Sequence, residues 1–178
     1  KRIIELSSSS YLNNDGTSDP YLNFDELLEN NEGVAIFSGT INGLVGQLFN
    51  KGKFSEIEKL YSKLKQKYGD KFYIEIQRHG DQNEISFEKF NLSQSLNLEI
   101  SIIATNEVFY SNKDMYEAHD ALICIKNKNY VNEKNRIKYS NQHYLKDNSE
   151  MSELFSDLPE ALENLSLIHI SEPTRLHV

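Results

Sequence analysis

Residues 100–125, "ISIIATNEVFYSNKDMYEAHDALICI", decide how the rest of the chain is read. The apolar run Ile100, Ile102, Ile103, Ala104 ends in a polar corner, Thr105, Asn106, Glu107, and a helix-patterned segment with Glu117, His119 and Asp120 follows. That order describes a buried parallel strand whose C-terminal end presents polar groups, the place where α/β proteins put their chemistry.

Working outward, the same unit recurs. "VAIFSG" (Val34 to Gly39) is a short continuous apolar run and reads as a buried strand. Two helices follow, Gly43 to Asn50 and Phe54 to Tyr68, broken at Gly52; the second spaces Phe54, Ile57, Leu60, Tyr61, Leu64 and Tyr68 along one face. "FYIEIQ" (Phe72 to Gln77) alternates as a half-buried strand does, and Glu84 to Leu98 is a further helix. The third strand is expected over Ile100 to Thr105 and its helix over Lys113 to Ile125. Strand and helix thus alternate three times, which predicts parallel strands with crossover helices, in a barrel or an open sheet.

The flanks are helical and polar. Residues 1–12 read as a helix, Asn13 to Pro20 as a loop, and Phe24 to Asn30 as a helix stopped at Gly33. After a polar Asn- and Lys-rich loop from Asn127 to Lys138, Ser140 and Ser149 are expected to N-cap two short helices, and Pro159 to open a last one. The chain starts without Met on what reads as the tail of a helix. Residues 165–175, "LSLIHISEPTR", look like the in-frame translation of a sequencing adapter, so 165–178, with His169 and His177, are set aside from the fold.

Composition narrows the class. The 178 residues are 38% hydrophobic and 11% aromatic with three prolines, which suits an ordered α/β domain. A net charge of −8 argues against this segment gripping a phosphate backbone. The single cysteine, Cys124, excludes an intrachain disulfide and reads as a buried, inert hydrophobe in a reducing compartment. No apolar run reaches the roughly 20 residues of a membrane span, so a cytoplasmic protein is expected. Glycine-rich phosphate loops, paired-cysteine motifs and a Gly-x-Ser-x-Gly elbow are all lacking.

A few side chains are placed for chemistry. His79, between Arg78 and Gly80 just past a strand, could meet a metal or a phosphate, although a hydrogen-bonded structural role is favoured. Glu107 stands two residues past the third strand, where an active-site carboxylate would sit. Glu117 and Asp120 share a helix face, but His119 lies on another, so the three form no simple chelate. His119 is expected to be hydrogen-bonded beneath the loop that follows the strand.

Together "VAIFSG", "FYIEIQRHG", "IIATNEVFYSNKDMYEAHDALICI" and "MSELFSDLPEALEN" resemble, in order and over residues 1–164, the polymerase-and-histidinol-phosphatase (PHP) domain family found at the N-terminus of bacterial replicative polymerase alpha subunits. The resemblance implies the later part of a distorted (β/α)7 barrel followed by short helices, with residues 1–164 a partial PHP domain and an open sheet edge that would make the isolated piece poorly soluble. In the family, metal ligands sit at the strand ends. Its Ser-Gly-Cys corner appears here as Ser38, Gly39, Thr40, and its Asp-x-His as Glu107, Val108, Phe109. A hydroxyl replaces a thiolate and an apolar ring replaces an imidazole, so Glu107 is a vestigial metal position and a zinc or manganese site is expected to be lost.

The implied function is therefore that of a degenerate PHP domain, a structural platform that docks the proofreading exonuclease subunit and meets other replicase subunits. Catalytic residues are expected to be absent from this segment. The parent would be a DNA-directed DNA polymerase using magnesium and touching DNA through its other domains. The alternative is a metal-dependent PHP phosphoesterase or exonuclease, against which Thr40 and Phe109 count. An error-prone paralogue of the replicative form would differ mostly outside this segment.

Overall fold

The computed structural model describes residues 2–12, 16, 19–29 and 33–171. The elements in order are α1 (Arg2–Leu12), α2 (Phe24–Glu29), β1 (Ile36–Phe37), α3 (Leu44–Asn50), α4 (Phe54–Tyr68), β2 (Phe72–Ile76), α5 (Glu84–Leu98), β3 (Ile102–Ala104), α6 (Tyr116–Asn127), α7 (Asn148–Leu154) and α8 (Pro159–Ser171). Most of the expected Asn13 to Pro20 loop, and Asn30 at the end of the second helix, lie outside the described residues.

A three-stranded parallel sheet in the order β1-β2-β3 forms the centre. Ile36 pairs with Phe72, and Ile74 with Ile102. Because each strand runs parallel to the next, a helix must return the chain, and α3 with α4 and then α5 do so. β2 is the central strand and alternates as its sequence requires: Phe72, Ile74 and Ile76 are buried while Tyr73 and Glu75 are half-buried.

Packing follows the helix period. Ile57, Tyr61, Leu64 and Tyr68 on α4 are all buried, and Tyr61 meets Phe72 with 5.6 Å between ring centroids. The inner face of α5 is more polar, burying Glu84, Asn91 and Gln94 beside Phe87. Gly46 on α3 is required by contact: a Cβ there would stand 1.9 Å from the Ile41 carbonyl oxygen. Cys124 is buried, as its apolar surroundings in the sequence imply.

Several boundaries differ from expectation. β1 is only Ile36–Phe37, with Phe37 exposed, because it lies at the edge and pairs on one side alone. β3 starts at Ile102 because Ile100 is bound back to the end of α5, its N–H donating to Ser95 O and its carbonyl accepting from Ser95 Oγ. Neither Ser140 nor Ser149 caps a helix. Asp147 caps α7, accepting from the Ser149 and Glu150 N–H groups, and Glu150 reciprocates; a carboxylate also suits the positive end of the helix. Pro159 does open the last helix, which continues through the stretch set aside above as far as Ser171.

The outer side of β3 is covered. Asn164 of α8 donates from Nδ2 to the Ile102 carbonyl at 2.8 Å, occupying an acceptor that a further strand would otherwise use. Among the described residues no helix is long and apolar enough to cross a membrane.

Candidate functional site

The C-terminal ends of the strands deliver Ser38-Gly39-Thr40 after β1, Gln77-Arg78-His79 after β2 and Thr105-Asn106-Glu107 after β3. Each corner is tied to the next by side chains. Ser38 Oγ accepts from the Glu75 N–H at 3.0 Å and continues the β1–β2 ladder where backbone pairing stops. Thr105 Oγ1 donates to Glu75 Oε1, and Gln77 Nε2 donates to Thr105 Oγ1 at 2.8 Å. Thr40 lines a small cavity with Glu75, Gln77 and Glu84, which Glu107 and Phe109 do not line.

His79 is buried with both ring nitrogens engaged. Nε2 accepts from the Glu107 N–H at 3.2 Å, so the proton stays on Nδ1, which faces Glu84 Oε1 at 3.2 Å. Glu84 Oε2 also accepts from the His79, Gly80 and Asp81 N–H groups, at 2.8, 2.9 and 3.2 Å. Burial pushes the Glu84 carboxyl up, but the hydrogen bonds from the His79 ring and backbone and from Asp81 outweigh it and hold the group below its ordinary value. The loop after β2 is thus wrapped on one buried carboxylate, and His79 fills the structural role favoured from the sequence.

Arg78 points the other way and fastens the same loop to the C-terminal helices. It donates to Glu88 at 2.6 and 3.0 Å, to Asp157 at 2.6 and 2.9 Å and to the Leu154 carbonyl at 2.7 Å, over the Phe155 ring. Paired this way its guanidinium is held more basic than usual, first by Asp157 and then by Glu88.

Glu107 is positioned through its backbone. Its N–H is taken by His79, and its carbonyl accepts from His143 Nδ1 at 3.3 Å, while its half-buried carboxylate has Oε2 at 3.8 Å from that same Nδ1. His143 was not singled out in the sequence. It arrives because 143–145 runs beside the loop after β3: the Phe109 N–H donates to the His143 carbonyl, and the Leu145 N–H to the Tyr110 carbonyl. The His143 ring is buried, its Nε2 has no protein partner, and burial followed by the neighbouring His79 pushes its pKa down to about 4.

Phe109 is held among aromatic rings. Its ring stacks on His143, with centroids 4.9 Å apart, and on His119, 5.4 Å apart and tilted by 8°. His119 therefore lies beneath the loop as expected, but it is held by ring contact with Phe109 and Tyr110 rather than by the hydrogen bond anticipated. Asp120 serves a separate purpose, accepting from Arg136 at 2.6 and 2.7 Å and so fastening the loop after α6. That partner keeps the Asp120 carboxyl low. Glu117 is exposed on the outer face of α6.

These residues do not suit a metal ion. Glu107 is a carboxylate with a backbone-tethered imidazole beside it, Phe109 offers no lone pair, and the lone pair of His79 Nε2 is spent on the Glu107 N–H. Among the described residues no three His, Cys, Asp or Glu side chains converge as a metal would require.

The PHP domain matches residues 1–79. The chain is 34% identical over 162 residues to the DNA polymerase III subunit alpha of Caulobacter vibrioides, covering 91% of this chain and 14% of that protein. It is 35% identical over 164 residues to the protein of that name from Rickettsia bellii and 33% identical over 165 residues to that from Vibrio cholerae, in each case covering 92% of this chain and 14% of the relative. Matched in this way over nearly all of its own length and about one seventh of theirs, the chain corresponds to a segment of bacterial DNA polymerase III alpha subunits, its first 79 residues matching the PHP domain.

Proposed function

We propose that this chain serves as a degenerate, non-catalytic PHP platform in a cytoplasmic replicative polymerase, forming the later part of a distorted (β/α)7 barrel and docking the proofreading exonuclease subunit and other replicase subunits. The parent would extend a primer by magnesium-dependent nucleotidyl transfer in its other domains, and DNA would be gripped there, because this segment is acidic.

One observation supports the reading above others: Phe109, which the resemblance sets at the family's imidazole position, is an apolar ring stacked between His143 and His119. Hydrolysis of a phosphoester by such a domain needs an ion with an open position for water, and an apolar ring offers that ion no lone pair. The zinc or manganese site is accordingly read as lost, with Glu107 its remnant.

The experiment is to equilibrate the purified chain with zinc or manganese, remove free metal, and measure bound metal together with cleavage of a model phosphodiester. Substoichiometric metal and no cleavage are expected. Stoichiometric metal with hydrolysis would establish the phosphoesterase instead. Co-purification of the exonuclease subunit from the same genome tests docking separately, and its failure would remove that half of the proposal.

A further inference from the structure

Asn91 lies in the middle of α5 with its side chain fully buried. The Tyr61 hydroxyl donates to its Oδ1 at 3.0 Å, and its Nδ2 has no partner within the protein. Exchanging the oxygen and nitrogen of the amide does not cure this: the hydroxyl would then accept from Nδ2, and Oδ1 would be left bare. An unmatched buried polar atom of this kind is destabilising, and native proteins relieve it with an internal water wherever one can be seated.

A seat is present. Asn91 lines the small cavity that also meets Thr40, Glu75, Gln77 and Glu84, with about 20 Å³ open to the centre of a water molecule. One water needs roughly 10–15 Å³ by the same measure, so the cavity takes one water, and it is far too small for a phosphate or a hydrated cation. Acceptors are at hand as well. Glu75 has Oε1 committed to Thr105 and Gln77, which leaves Oε2 with lone pairs to offer.

We propose that this cavity is a built site for a single internal water, which accepts a hydrogen bond from Asn91 Nδ2 and donates one to the Glu75 carboxylate. Two polar groups that the protein otherwise leaves separate are joined by it: the Tyr61–Asn91 pair inside the core, and the Glu75–Thr105–Gln77 cluster at the strand ends. The water thereby ties the inner face of α5 to the corner that carries Thr105 and Glu107. Since water both donates and accepts, it satisfies an amide and a carboxylate at once, as the Thr105 hydroxyl does between Gln77 and Glu75.

The test is a crystal structure of the 178-residue chain at a resolution that shows ordered water, for the parent and for Asn91→Leu, which keeps the shape of the side chain and removes its amide. The expected result is a water peak at hydrogen-bond distance from the Asn91 amide in the parent and none in the variant. An empty cavity in the parent, with the amide bonded to a protein acceptor, would overturn the proposal, and a peak that persists in Asn91→Leu would overturn the assignment to Asn91. Should the variant not fold, magnetisation transfer between the Asn91 side-chain amide protons and a long-lived water in the parent decides the matter: a cross-peak is expected, and its absence sinks the idea.

Discussion

The imidazole rings of His79 and His143 lie face to face, with centroids 4.0 Å apart and planes within 2° of each other. Both rings reach Glu107 through its backbone, one accepting from its N–H and the other donating to its carbonyl. Two side chains from separate loops therefore fix the corner after β3, and the stack continues through Phe109 to His119.

If His143 acts through this stack and its Nδ1 bond, His143→Ala should cost about 2–4 kcal/mol, combining a cavity in a buried stack with an unmatched Glu107 carbonyl. His143→Phe keeps the ring and loses only the hydrogen bond, and about 1–2 kcal/mol is expected. Urea unfolding of both variants checks the order; an alanine variant as stable as the phenylalanine one would contradict it.

Glu84 makes acid stability predictable in sign. Its carboxyl titrates below the ordinary value when folded, so the unfolded chain binds more protons in that range. The stabilisation it supplies is fully present above the unfolded carboxylate value and is lost as pH falls through the folded one. Glu84→Gln should flatten this part of the profile and cost about 1–3 kcal/mol at pH 7, because the amide turns a donor toward groups that need acceptors. Thermal melts of parent and variant between neutral and acid pH measure both.

Arg78 joins the loop after β2 to the segment around the end of α7 through the Asp157 carboxylate and the Leu154 carbonyl, and to α5 through the Glu88 carboxylate. Arg78→Ala leaves the Glu88 carboxylate, itself half-buried, without its partner and should cost about 2–4 kcal/mol. Arg78→Lys is expected to recover less than half of this, since an ammonium cannot serve two carboxylates in a planar fork. Hydrogen exchange should rise first in the amides of α7 and α8.

The pair Asp120–Arg136 should matter locally. Asp120→Asn weakens the anchor of the loop after α6, whose Lys128, Lys134 and Lys138 are exposed. Trypsin is expected to cut there several-fold faster than in the parent, with little change in the unfolding midpoint. Unchanged cutting would mean that the bonds from the Arg136 guanidinium to the Val131 carbonyl hold the loop unaided.

Much of this architecture is already written locally in the chain. The limits of α4 and α5 and the alternation in β2 follow from the spacing of Ile57, Tyr61, Leu64 and Tyr68, from the terminating Gly69, and from Phe72, Ile74 and Ile76, because periods of 3.6 and 2 are set by neighbouring residues. That residue 40 is a hydroxyl-bearing Thr and residue 109 an apolar Phe is likewise visible without coordinates. The length of β1 is not, since pairing at an edge depends on which strands lie alongside.

His143 lies in a polar stretch with no periodicity to mark it, and His119 gives no local sign that it will stack rather than hydrogen-bond. Their roles depend on rings brought together from remote loops, and ring stacking, unlike a helix face, has no sequence period. The orphaned amide of Asn91 is of the same kind: a lone Asn on a helix reads as solvated until folding buries it against Tyr61, when the cost of an unmatched donor first arises.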